Sequence, residues 1–112
     1  MIFSLQGTVQ ELTPTYAVIN VQGVGYYVGI SLMTSQTLAL NQQTFLFTQQ
    51  IIREDAHLLF GFNTRSEKEM FNLLISVNGV GAVSALILLS TLSLDEIASA
   101  ILSGNGTLIQ KA

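Results

Sequence analysis

The residues of this chain that could do chemistry are few. Glu54 and Asp55 stand side by side, the single histidine His57 follows two positions on, and Asn78-Gly79-Val80-Gly81-Ala82 sets two glycines in an otherwise apolar run. Paired carboxylates beside a histidine are raw material for acid–base catalysis or for a metal site. Here the fit is poor, because neighbouring residues on an extended strand point to opposite faces and no further ligand cluster accompanies them. The chain has no cysteine, which removes disulfides and thiolate metal sites. It has no G-x-x-x-x-G-K-[ST] phosphate loop. No catalytic residue, metal site or cofactor is expected, and His57 reads as a surface or packing residue.

The glycine stretch offers backbone chemistry instead. Thr64 and Glu67 have the spacing of a capping box, in which a hydroxyl and a carboxylate satisfy free amides at a helix start. Met70, Leu73, Leu74 and Val77 then recur at the helical interval as one apolar face. Asn78 to Gly81 breaks the pattern with glycines able to take positive φ, and Val83, Leu86 and Ile87 restart a second apolar face. Helix, short hairpin, helix is the layout of a helix-hairpin-helix motif. Its unpaired amides, over Asn78, Gly79, Val80, Gly81 and Ala82, would point at an anion such as a nucleic-acid phosphate. A tight turn between two packed helices, with no ligand, accounts for the same residues.

Those elements must be positioned by the rest of the chain. Phe3, Leu5, Gly7 and Val9 alternate with polar residues as in a half-buried strand, and Thr13-Pro14 marks a turn. Tyr16 to Val21 is a second strand, Gln22-Gly23 a turn, and Val24, Tyr26, Val28 and Ile30 one face of a third. Gly25 and Gly29 fall on its other face, which suggests sharp curvature or close backbone approach. Ser31 to Gln43 reads as a connection with at most a short helical turn. Thr44 to Arg53 and His57 to Phe62 are two more strands, joined by Glu54-Asp55-Ala56. Five short strands bent at glycines suit a small closed barrel of the OB type, with half a sandwich as the competing arrangement. Beyond the glycine stretch, Ser93 and Glu96 form a second capping box, and Leu94, Ile97, Ala98 and Ile101 the apolar face of a third helix. Ser103 to Gly106 breaks it, and Thr107 to Ala112 opens a further one.

Composition bounds the function. At 112 residues the chain holds one domain or two very small ones; it is 49% hydrophobic and only 10% charged, against a usual charged share of about 25%. So little charge leaves much surface to be covered, and self-association is expected. A net charge of −3, with Arg53, Arg65, Lys68 and Lys111 as the basic residues, argues against gripping nucleic acid by bulk electrostatics. MIFSLQG lacks the basic start and apolar length of a signal peptide. Val80 to Leu94 falls short of the ~20 apolar residues of a membrane span and contains serines, so it reads as buried helix. A cytoplasmic protein with no membrane partner is the expectation.

The MI-x-x-L-x-G start, GVGY at Gly23 to Tyr26, IIREDAHLLFGF and LLISVNGVGAVSALILLS stand in an order and spacing that resemble the RuvA family. That family comprises Holliday junction branch-migration subunits, and the likeness covers essentially the whole chain. The resemblance implies an α+β chain: a five-stranded OB-fold barrel over residues 1–63, then a helical helix-hairpin-helix unit over residues 64–112. It implies a homotetramer, with pairing into an octamer left open, that holds four-way junction DNA. It also implies two protein partners, the RuvB ATPase motor and the RuvC resolvase. It makes Glu54 and Asp55 an acidic pin at the fourfold centre. Two carboxylates brought together there would repel phosphates and keep separated strands apart; without the resemblance they are a solvated turn. The chain departs from the family where a proline and a basic residue would follow the hairpin and Ala82 and Val83 stand instead. It is expected to be an N-terminal fragment that stops before a second hairpin and the RuvB-binding domain. The rival readings are an oligomeric protein-binding OB scaffold and, further off, a small hydrolase using Glu54, Asp55 and His57.

Overall fold

The computed structural model describes residues 1–77 and 79–102. The order of elements is β1 (Ser4–Leu12), β2 (Tyr16–Val21), β3 (Val24–Ile30), α1 (Leu32–Thr37), β4 (Gln43–Ile52), β5 (His57–Phe62), α2 (Arg65–Ile75), α3 (Ala82–Thr91) and α4 (Leu94–Leu102). The strands close a barrel in the order β1-β2-β3-β5-β4, with β4 returning to β1, so the sandwich alternative does not hold.

Local chemistry explains the turns. Thr13 Oγ1 accepts hydrogen bonds from the Thr15 and Tyr16 amides, fixing the first reversal. Gln22 and Gly23 both have positive φ, 52° and 91°, as a two-residue hairpin turn requires. A bulge between Val9 and Glu11 bends β1 and helps the sheet close. Among the described residues, the one parallel pairing sets Gly29 opposite Phe60 and Ile30 opposite Gly61. Leu5, Val9, Ile19, Val28 and Leu46 fill the interior. Of the first expected face, Leu5, Gly7 and Val9 are indeed inside, whereas Phe3 precedes β1 and is half exposed. Gly29 permits the close approach its spacing suggested, since a Cβ there would lie 2.9 Å from Phe60 Cδ1.

The stretch from Ser31 to Gln43 is more ordered than a connection. Ser31 caps α1 by accepting from the Thr34 amide, and Ser31 and Thr34 are both fully buried. This helix was faint in the sequence because its buried side is made of hydroxyls, not of an apolar stripe.

The helices share a second core with β5. Phe60 and Phe62 point away from the barrel interior and sandwich Phe71 of α2, with ring centroids 5.2 and 4.9 Å apart. Leu74, Leu88, Leu89 and Ile97 complete this core. Two expected helix faces are corrected here. In α2 the fully buried positions are Phe71 and Leu74; Met70 is only partly buried, Leu73 is exposed, and Val77 lies beyond the helix. In α3 the buried face is Ala82, Ala85, Leu88 and Leu89, while Val83 is 71% and Ile87 45% exposed. Residues 85–89 are apolar on every side, so periodicity could not orient that helix; Ala82, Ala85, Leu88 and Leu89 turn inward, and Val83 and Ile87 outward. The expected break at Ser103–Gly106 and the helix over 107–112 lie outside the described residues.

Candidate functional site

Glu54 and Asp55 occupy the reversal between β4 and β5, closed by the Arg53 amide donating to the Ala56 carbonyl at 2.7 Å. Both carboxylates are exposed, and among the described residues neither joins an ion pair. His57 opens β5 opposite Ile52 and is exposed as well. No group of three or more acidic or histidine side chains among the described residues could hold a metal ion.

The glycine hairpin links α2 to α3. Ser76 ends α2 by donating its amide back to Leu73 and Leu74. Gly79 takes φ +88°, the left-handed region in which L side chains are strained. Gly81, in contrast, has φ −90° and ψ 176°, ordinary extended backbone, so only one of the two glycines is there for positive φ. Gly81 is the N-cap of α3 and has no side chain with which to satisfy the first amides of the helix. Those amides, from Ala82 onward, have no partner within the helix and carry the positive end of its dipole. The side chains of Val80 and Ala82 are buried, and the Val80 amide donates to the Val77 carbonyl at 3.1 Å. Their contribution to any ligand would be backbone alone, and for Val80 that amide is already engaged. Asn78 lies outside the described residues. Val83 projects outward beside the helix start.

Several polar contacts set the helices against the barrel. The Thr64–Glu67 capping box is half formed: Thr64 Oγ1 accepts from the Glu67 amide at 3.1 Å, but the carboxylate turns elsewhere. Glu67 Oε1 instead accepts from the Ser31 and Thr34 hydroxyls of the barrel at 2.8 and 2.7 Å. Ser90 of α3 accepts from the Leu32 amide at the start of α1 at 2.8 Å. Lys68 lies 3.5 Å from the centroid of the Phe3 ring, and burial, then the nearby Arg65, lower its pKa. Sequence reading missed this set; Thr64-x-x-Glu67 was the only trace of it. Ser93 and Glu96 form the complete reciprocal box, and hydrogen bonds from Ser93 hold the Glu96 pKa below its ordinary value.

An apolar cleft of about 480 Å³ runs between the barrel and α3, lined by Tyr27, Leu32, Leu58, Val83, Leu86 and Ile87 among others. No single helix among the described residues is long and apolar enough to cross a membrane.

A closed five-stranded OB-like barrel followed by helices, with a glycine turn leading into an uncapped helix start, places this chain among small α+β proteins built on an OB-like barrel. Residues 1–61 match the RuvA N-terminal domain, and the chain belongs to that family. Among its relatives, the Holliday junction branch migration complex subunit RuvA of Flavobacterium psychrophilum is 48% identical over 110 residues, which is 98% of this chain and 57% of the relative. The protein of the same name from Christiangramia forsetii is 43% identical over the same share of each chain. That of Neisseria meningitidis is 48% identical over 102 residues, 90% of this chain and 53% of the relative. The chain therefore spans about half the length of the curated relatives it matches.

Proposed function

We propose that this chain serves as a non-catalytic, junction-binding subunit of an ATP-driven branch-migration complex, the ATPase being a RuvB-type motor and RuvC a further partner. The observation that carries this reading is the uncapped start of α3, reached through Gly79 at φ +88° in a chain of this family. The amides from Gly81 onward would take a backbone phosphate of a four-way junction, with Gly79 shaping the turn and Val80 and Ala82 anchoring it in the core. Glu54 and Asp55, exposed at the tip of the β4–β5 reversal, would act as the acidic pin. Residues 1–63 form the barrel unit and residues 64–112 the helical unit in this reading. The exposed apolar side chains Val24, Tyr27, Ile52, Val83 and Ile87, in a chain with 10% charge, favour burial between copies as a homotetramer.

A titration of labelled four-way junction and of duplex of equal length, each at two salt concentrations, tests the proposal. Few phosphates are neutralised per subunit and the net charge is −3, so affinity near physiological salt should be weak and the salt slope shallow. At low salt the junction should be preferred, because copies of the hairpin can engage it together. Equal affinity for junction and duplex at low salt refutes the reading, and Gly79→Val should remove the preference.

A further inference from the structure

We propose that Glu67 and Ser90 are positioning residues which, through α1, fix the direction of the glycine hairpin relative to the barrel and its acidic reversal. This rests on the function proposed above, although its first readout does not need DNA.

The hairpin is carried by two helices, and both are gripped by the same six-residue barrel helix. On the α2 side, the single oxygen Glu67 Oε1 accepts both the Ser31 and the Thr34 hydroxyls in a site where Ser31 and Thr34 are fully buried and Glu67 is 9% exposed. Thr34 Oγ1 also accepts from the Asn63 amide, just before α2 begins. On the α3 side, Ser90 Oγ takes the Leu32 amide, one of the donors at the start of α1 that no helical carbonyl can satisfy, and donates in turn to the Leu86 carbonyl at 2.8 Å. The interatomic geometry therefore ties the first turn of α2 and the last turns of α3 to one short element of the barrel. Asn72 bonding Gln49 adds a contact from α2 to β4, but the side chain that reaches from α3 to a barrel backbone amide is Ser90. Apolar packing around Phe71 supplies cohesion without direction, and hydrogen bonds supply direction. Giving up the second half of the Thr64–Glu67 capping box to reach Ser31 and Thr34 is what a positioning role would require of Glu67. A side chain serving only its own helix would have turned back to the Thr64 amide.

The chain has no cysteine, so spin labels can be placed cleanly at Asp55→Cys in the reversal and Val83→Cys beside the hairpin, both exposed positions. The distance distribution between them is measured by pulsed electron resonance, with labelled protein diluted into unlabelled protein to isolate one subunit. Glu67→Ala and Ser90→Ala should each broaden the distribution, and together at least double its width, while circular dichroism stays unchanged. Glu67→Gln should restore the parental width, because one amide oxygen can accept both hydroxyls. Thr34→Val, which removes one of those donors at nearly constant volume, should fall between. In the unlabelled chain at low salt, junction affinity should drop about three- to tenfold in the same order, as the fraction of correctly aimed hairpins falls. An unchanged width in the Glu67→Ala, Ser90→Ala double variant overturns the proposal. So does a Glu67→Gln variant as broad as Glu67→Ala, or broadening with no loss of junction affinity. A parent chain that shows no junction preference, with the widths changing as expected, is instead the failure of the functional reading.

Discussion

The two hairpin glycines look alike in sequence but should respond differently to alanine. At Gly79, φ is +88°, and an L residue in the left-handed region is disfavoured by about 1–2 kcal/mol. Replacing glycine also stiffens the unfolded chain, which returns about 0.4–1 kcal/mol of stability. The balance for Gly79→Ala is a net loss of about 1 kcal/mol, from 2 − 1 at the upper ends of those ranges. At Gly81, φ is −90° and a built Cβ meets no atom within 4 Å, so the same substitution carries no steric or conformational strain. Only the weaker capping preference of alanine opposes it, and the entropic gain in the unfolded chain acts the other way, leaving a change of a few tenths of a kcal/mol. Urea unfolding followed by circular dichroism at one fixed protein concentration separates these outcomes, since self-association would otherwise move the midpoint. Equal losses at both positions, or a neutral Gly79→Ala, would show that the reasoning from backbone angles is wrong. The contrast extends to binding: Gly81→Ala should keep the fold yet weaken any anion contact, because its methyl stands in the open space before α3.

Other expectations follow from the same geometry. Glu54→Asn with Asp55→Asn should leave stability within about 0.5 kcal/mol by urea unfolding, both side chains being exposed, while duplex affinity rises in a filter-binding assay because repulsion is lost. Leu88→Ala should cost about 2–5 kcal/mol, whereas Val83→Ser should leave monomer stability nearly unchanged and weaken self-association, as light scattering on a sizing column would show. The Glu96 carboxylate, with its pKa lowered by bonds from Ser93, contributes stability that is present above its unfolded pKa and lost as pH falls through the lower folded value. Glu96→Gln should flatten that part of the acid limb in a series of melting curves, and an unchanged limb would mean the box has no energetic weight.

How much of this was legible beforehand depended on whether the information was local. The strands, their turns and the glycine break could be read from the chain because alternation, turn chemistry and capping act over a few residues. Gln22-Gly23 offers a turn between two β runs, and Ser93 with Glu96 closes a reciprocal box within a single helical turn. The sequence likewise determined that Glu54 and Asp55 would sit at a reversal, since two β runs flank them. Tertiary structure alone decided which side of α3 faces inward, because a helix apolar all round has no face until its neighbours choose one. It alone decided that Gly79, and not Gly81, needs the left-handed region. It also decided the fate of Glu67, whose local partner Thr64 and distant partners Ser31 and Thr34 compete for one carboxylate. The distant hydroxyls, 36 and 33 residues away along the chain, win because they are buried and would otherwise lose water without gaining a bond.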